Sequence, residues 1–295
     1  FLIYCIVFFL YTLLRTRSPR LLAPLFLATS VICYAMAGWG DLTLIACVLV
    51  INYLLSFGVR DKRVLTLTLV LNIACLATFK YRGFFLNELG VNQDIFSSNI
   101  IIPLGISFYI FHIMAYQIDL YRGHAKFIGS LAKFSLFVVF FPQLVAGPIL
   151  RASQLAPQLE RVWQGRPPVK RLYAYGLTLC LCGLTKKILL ADSLAPHVDS
   201  IFSQLPAHAW IAWQGAILFG FQLYFDFSGY SDIAIGLAYL VGIRLPNNFR
   251  TPYFTISPSE FWRRWHITLS RWIRDYLYIP LGGRQTGGLF QQALI

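Results

Sequence analysis

The chain has 295 residues, of which 57% are hydrophobic and only 13% charged. Soluble domains carry ~25% charged residues, and so few charges cannot cover so much apolar surface, so a soluble globular domain and a disordered chain are both excluded. The 25 Lys and Arg outnumber the 12 Asp and Glu, giving +13, but the basic residues mostly flank apolar runs. That is the pattern of loop anchoring and anionic lipid contact, so nucleic acid is not an expected partner and the lipid bilayer is.

In chain order, Phe1–Leu14 is apolar from its first residue. Leu21–Trp39, Leu42–Val59 and Val64–Phe79 follow as uncharged runs near the ~20 residues needed to cross the hydrocarbon. Further candidates are Ile100–Ile118, Phe134–Ile149, Leu172–Leu190, Trp210–Phe225 and the more polar Asp226–Ile243. Leu289–Ile295 starts another apolar stretch. Both ends read as cuts through membrane segments of a longer chain, and the expected total is about eight to ten segments. Arg15, Arg17 and Arg20 fill one short loop and Arg60, Lys62 and Arg63 another, which the positive-inside rule places in the cytoplasm. The polar, Pro-containing stretch Arg151–Arg171 reads as a loop or interfacial segment. Asn247–Gly283, rich in Arg and Trp, cannot cross a bilayer. All six cysteines sit in apolar runs and behave as small hydrophobes, so neither a disulfide framework nor a metal cluster is expected.

Two stretches carry the polar chemistry. Ser257-Pro258-Ser259-Glu260 has the spacing of a capping box with Pro at the first helical position, so a helix is expected to start there. At about 100° per residue, Phe261, Trp262, Trp265, Leu269, Trp272, Ile273 and Tyr276 share one face of it. Arg263, Arg264, Arg271 and Arg274 share the other, and His266 falls at the border. That pattern fits an amphipathic helix lying in the headgroup plane. On spacing alone, a structural role for His266 is the commoner one. The second stretch, Tyr224–Asp232, places Asp226, Ser228, Tyr230 and Asp232 among apolar segments. Ionisable groups at membrane depth are costly and face a protein interior or a wet cavity. Two readings stay open: a polar lining for a substrate tunnel, or a helix-packing site with Gly229 at a close approach and the acids paired to Arg.

Weaker signals are the Lys186-Lys187 pair with Asp192, and His112 with Asp119. Phe141-Pro142-Gln143 and Ala146-Gly147-Pro148 suggest a broken or re-entrant helix, which survives only beside protein or water. There is no His-Glu-x-x-His, no phosphate-binding Gly loop and no Gly-x-Ser-x-Gly elbow. Zinc-protease, nucleotide-hydrolysis and serine-nucleophile chemistry drop out, and no metal ligands are assigned.

Several blocks, taken together, resemble the membrane-bound O-acyltransferase family. They are Pro103-Leu104-Gly105-Ile106-Ser107-Phe108-Tyr109, the run Phe140–Ile149, Tyr224–Gly236, Leu245-Pro246-Asn247-Asn248-Phe249, and above all Glu260-Phe261-Trp262-Arg263-Arg264-Trp265-His266-Ile267-Thr268-Leu269-Ser270, continuing from Arg274 to Gly283. The nearest likeness is to the bacterial branch of alginate O-acetyltransferases and D-alanyl-transfer proteins. The resemblance implies an all-α polytopic membrane fold around a central tunnel, with an interfacial amphipathic helix. It implies one membrane domain over residues 1–295, with N-terminal helices in 1–99, the family core in 100–283 and the start of a further segment in 284–295.

By the same resemblance, an acyl group, here acetyl, passes from a cytoplasmic thioester donor (acetyl-CoA or a carrier-bound acyl) to hydroxyls of an extracytoplasmic polysaccharide such as alginate. D-alanylation of teichoic acid and acetylation of peptidoglycan or cellulose are alternatives within the family. A non-catalytic transporter or export scaffold is the alternative of another class. No bound cofactor is implied; the partners are the acyl donor, the polysaccharide and an outer-facing, membrane-tethered acyltransferase, and the location is the bacterial cytoplasmic membrane, crossed many times. The family's Trp-His pair falls on Trp265-His266, so His266 is the candidate catalytic residue. Asp226, Ser228, Tyr230, Asp232, Asn248, Arg263 and Trp265 are candidate tunnel or substrate residues. A second family histidine, in a Trp-His-Gly-like motif, is the main catalytic residue that the resemblance implies and would do the base work, with His266 supporting the site. It has no counterpart here, because no His follows His266. The fragment alone is therefore expected to be inactive.

Overall fold

The computed structural model describes residues 2–82, 102–143, 147–166, 173–203 and 208–283. Among the described residues there are twelve α-helices and no strand, and the chain gathers into two compact units. The expected further segment at 284–295 lies outside the described residues, as do positions 144–146 of the expected broken helix.

The first unit, Phe1–Val145 with Ile149–Pro167, contains α1 (Leu2–Arg17), α2 (Leu22–Ala37), α3 (Trp39–Ser56), α4 (Lys62–Leu76), α5 (Ile106–Tyr121), α6 (Leu131–Val138) and α7 (Ala152–Trp163). Local chemistry sets the breaks. Pro19 disfavours helix at Ser18 and so ends α1, and Gly38, at φ 151°, separates α2 from α3. Asp61 caps α4 by accepting the Arg63 N–H at 2.8 Å.

Four helices are long and apolar enough to cross a membrane: Pro19–Ala37, Trp39–Ser56 and Lys62–Tyr81 here, and Tyr173–Phe202 in the second unit. They match four of the apolar runs read from the sequence. Ile32, Met36, Leu54, Leu67 and Val70 stay exposed on them, as a lipid-facing surface requires. Helices in lipid gain nothing from hiding apolar surface, so packing and polar contacts hold them together. Asn52 of α3 and Asn72 of α4 exchange side-chain hydrogen bonds of 3.3 and 2.7 Å. Gln117 of α5 donates to the Asn52 carbonyl at 2.8 Å and to Ser56 Oγ at 3.0 Å.

The expected broken helix is present in its described parts. α6 stops after eight residues, and Phe141–Gln143 forms a single 3-10 turn. Buried His112 of α5 holds the following segment by accepting the Leu150 N–H at Nε2, 2.9 Å away. The stretch read as a loop or interfacial segment contains α7, which buries Ala152, Leu155, Leu159 and Val162 on one face and exposes Gln154 and Arg161.

The second unit, Ala146–Pro148 with Pro168–Ile295, contains α8 (Tyr173–Leu184), a π-helical stretch at Thr185–Ala191, α9 (Asp192–Phe202), α10 (Ala209–Leu240), α11 (Pro258–Arg264), α12 (Ile267–Ile273) and a π-helical turn at Arg274–Tyr278. Two expectations are corrected here. Trp210–Phe225 and Asp226–Ile243 are not separate segments but one 32-residue helix, α10. No Pro interrupts it, and partners neutralise its acids within the unit. The amphipathic helix expected from Ser257 onward is broken after Arg264, so His266 sits in a joint rather than on a helix border.

α8 and α10 meet along a seam of glycines seven residues apart on each helix. A Cβ on Gly183 would lie 2.6 Å from the Gly229 carbonyl oxygen, and one on Gly236 would lie 2.6 Å from that of Gly176. Such small-residue contacts let two backbones touch. Gly183→Val is expected to lower stability in detergent by about 2–3 kcal/mol, the scale of overpacking. Gly220→Ala, whose Cβ would meet only Tyr253 Oη at 3.7 Å, should be neutral or stabilising by up to ~1 kcal/mol. Thermal unfolding of both variants checks the seam, and equal effects would contradict it.

Candidate functional site

The site is built by the joint between α11 and α12 and by the extended segment after α10. Gly242, at φ 78°, turns the chain out of α10, and Leu245 and Asn248 are buried beyond it. α11 begins as its sequence indicates: Ser257 Oγ accepts the Glu260 N–H at 3.2 Å, and Pro258 occupies the first turn. Glu260 departs from a reciprocal box by accepting the Ile256 N–H at 3.4 Å. The helix ends with Trp265 extended and His266 left-handed, at φ 41° and ψ 54°. A positive φ is uncommon for a non-glycine residue, although His is among the types enriched there.

Two backbone hydrogen bonds clip this joint to the extended segment. The Arg250 N–H donates to the Arg264 carbonyl at 3.0 Å, and the Ile267 N–H donates to the Asn248 carbonyl at 2.9 Å. The Asn248 side chain completes the clip. Its Oδ1 lies 3.2 Å from His266 Nδ1 and accepts from the Thr268 N–H at 3.3 Å and from Thr268 Oγ1 at 2.8 Å. Asn248 is 1% exposed and His266 7%. The Phe227 ring of α10 stands edge-on to the imidazole, centroids 4.8 Å apart, and Phe249 lies at 6.4 Å. Trp265 packs with Phe249, Phe261 and Tyr253. Burial among these rings pushes the His266 imidazole down to about 4, so at neutral pH it carries no charge.

The structure therefore gathers Asn248, Trp265 and His266. The other expected residues point elsewhere, because one helix turns successive side chains by about 100°. Phe227 reaches His266, while its neighbour Asp226 pairs with Lys187 at 2.7 Å and Asp232 pairs with Lys186 at 2.6 Å. Lys187 also reaches Asp192 at 2.6 Å, and its ammonium lies 5.2 Å from the Tyr230 ring centroid. The acids are thus paired to Lys, not Arg. Ser228 is buried, with no hydrogen-bond partner among the described residues. Arg263 turns back to Ser259, donating to its Oγ at 3.0 Å. Thr268, Phe227 and Phe249 were not singled out; Asn-Asn-Phe in a loop was the available signal for the last.

Among the described residues no cluster of His, Cys, Asp or Glu could hold a metal ion. A cavity of about 650 Å³ opens in the first unit between α6, α7 and the loop before α6, and none of the expected site residues lines it.

A histidine whose value falls on folding contributes stability fully above its unfolded value of ~6.5 and loses it as pH drops toward the folded value. Unfolding of the full-length protein in detergent should show the wild type losing about 3 kcal/mol more than His266→Gln between pH 7 and pH 4. Parallel pH dependences would contradict a buried neutral imidazole.

The family model for the membrane-bound O-acyltransferase family matches residues 25–295. The chain is 42% identical to the probable alginate O-acetylase of Azotobacter vinelandii, covering 96% of this chain and 58% of that protein. It is 35% identical to the peptidoglycan O-acetyltransferase of Helicobacter pylori, over 85% of this chain and 54% of that one. With the teichoic acid D-alanyltransferase of Bacillus subtilis it shares 30% identity over 61% of this chain and 46% of the other. The chain thus spans little more than half the length of the first two relatives. Its all-helical fold, its apolar helices and the match across nearly its whole length agree: the chain belongs to the membrane-bound O-acyltransferase family.

Proposed function

We propose that the protein passes an acetyl group from a cytoplasmic thioester donor to hydroxyls of an extracytoplasmic polysaccharide of the alginate type. The observation that carries this reading is His266, an uncharged imidazole held in an aromatic, nearly dry joint within the Trp265-His266 pair. A sugar hydroxyl is a weak nucleophile and gains from losing its proton as it attacks, a task suited to neutral histidine. In the step, the hydroxyl oxygen forms a bond to the thioester carbonyl carbon, the carbon–sulfur bond breaks, and the hydroxyl proton ends on the departing thiol. His266 receives the hydroxyl's hydrogen bond, and the second histidine that the family resemblance implies completes the proton transfer. Asn248 and Trp265 shape the site around His266. The ion pairs of Asp226 and Asp232 with Lys187 and Lys186 support a role in holding the π-helical stretch after α8 against α10.

The higher identity and coverage with the alginate relative favour acetyl transfer to that polymer class over D-alanyl transfer. The four apolar helices and the basic short loops support a multi-pass protein of the bacterial cytoplasmic membrane. The donor, acetyl-CoA or a carrier-bound acetyl, is a substrate, so the reaction as proposed uses no resident cofactor. An outer-facing, membrane-tethered acyltransferase completes delivery to the polymer.

The test reconstitutes the full-length protein in vesicles together with the outer-facing acyltransferase and follows free thiol released from acetyl-CoA in the presence of alginate. The expected result is polysaccharide-dependent thiol release that falls about 10²-fold or more in His266→Ala, the scale of a lost proton-transfer partner. Movement of the donor into the vesicles without thiol release would establish a transporter instead.

A further inference from the structure

Asn248 and His266 are 18 residues apart in sequence, yet the Asn248 carboxamide oxygen lies 3.2 Å from His266 Nδ1. We infer that Asn248 is a positioning residue that holds His266 as the Nδ1-protonated tautomer, leaving the Nε2 lone pair as the group presented to the acceptor hydroxyl.

The chemistry permits only this direction. A neutral imidazole has one N–H and one lone pair, and a carboxamide oxygen can only accept. Nδ1 therefore donates and Nε2 is left as the acceptor. Which atom of the Asn248 carboxamide faces the ring follows from the neighbouring donors. The Thr268 N–H cannot accept a hydrogen bond, and it lies 3.3 Å from the same Asn248 atom. An Nδ2 there would face the Thr268 N–H donor against donor, so the atom is the oxygen. Thr268 Oγ1, at 2.8 Å, then donates to it as well.

The backbone adds a second restraint. The Asn248 carbonyl accepts the Ile267 N–H at 2.9 Å, directly after the left-handed His266. One residue thus fixes both the main chain and the ring of His266. Phe227 from α10 and Phe249 from the extended segment bound the imidazole with apolar surface, which offers Nδ1 no competing acceptor.

The consequence deepens the acyl-transfer reading and rests on it. In this tautomer His266 accepts the hydroxyl's hydrogen bond and cannot donate an N–H from Nε2 to the developing oxyanion. Oxyanion support must come from another donor. The Asn248 Nδ2 group, buried beside the ring with no partner among the described residues, is one such group.

The test is nitrogen-15 magnetic resonance of full-length protein with labelled histidine, the His266 signals being assigned by their loss in His266→Gln. At neutral pH the wild type should show a protonated Nδ1 and an imine-type Nε2. This needs no turnover, so it stands apart from the acyl-transfer assay. Asn248→Asp keeps an acceptor oxygen and should keep the tautomer, with partial activity. Asn248→Leu removes it and should give mixed tautomers, with kcat falling about 10²-fold or more and little change in KM for the donor. Thr268→Val, which spares the ring's own partner, should retain the wild-type tautomer. A protonated Nε2 in the wild type, or an unchanged Nδ1-protonated ring in a folded Asn248→Leu protein, would overturn the inference. A wild-type Nδ1-protonated ring together with unimpaired transfer by His266→Ala would instead leave the tautomer assignment standing and sink the catalytic reading.

Discussion

A helix that stops inside a protein leaves amides and carbonyls without intrahelical partners, and where water is scarce each must be answered by another segment. The joint at Trp265-His266 meets that constraint through residues 248–250. The Arg264 carbonyl and the Ile267 amide both find main-chain partners there, and the Asn248 side chain takes up the Thr268 amide. Only with these three contacts in place does a left-handed histidine between two short helices become a stable arrangement. The same contacts set the depth and orientation of the imidazole. The candidate site is therefore a by-product of how the break is satisfied.

The extended segment stays in place because α10 does, and α10 is held by its seam with α8. Backbone contact at Gly183–Gly229 and Gly176–Gly236 brings the helices close enough for Lys186 and Lys187 to meet Asp232 and Asp226. Buried or half-buried charges are tolerated when paired, so these lysines allow two carboxylates on an otherwise apolar helix. Along α10 the labour divides by angle. The faces bearing Gly229, Asp226 and Asp232 serve the seam and its ion pairs, and the face bearing Phe227 supports His266.

Much of this was legible from composition and period. Charge-free runs of membrane length stand out whatever they pack against, and four of them are helices of the expected kind. The start of α11 was equally plain, because a capping serine acts within three residues. The break after Arg264 was hidden, since the 3.6-residue pattern of Phe261, Trp265, Trp272 and Tyr276 runs through the joint, and what interrupts it is a partner 18 positions upstream. α10 was divided in the reading because Asp226 and Asp232 look like a polar boundary until Lys186 and Lys187 are placed opposite them. Polar character within an apolar stretch, together with the family resemblance, joined Asp226, Ser228 and Asp232 to the candidate site, and helical rotation separates them from it. Trp265-His266 was recognised through family resemblance, whereas the role of Asn248 emerges only from the fold.

The position of His266 depends on the clip that residues 248–250 make across the α11–α12 joint. Residue-resolved hydrogen exchange of the full-length protein in lipid nanodiscs reads that clip directly through the amides of Arg250 and Ile267. Both should exchange as slowly as amides in the interior of α10, although neither lies inside a long helix. Exchange at the rate of the exposed turn at Gly123 would contradict the account, because His266 would then have no fixed frame.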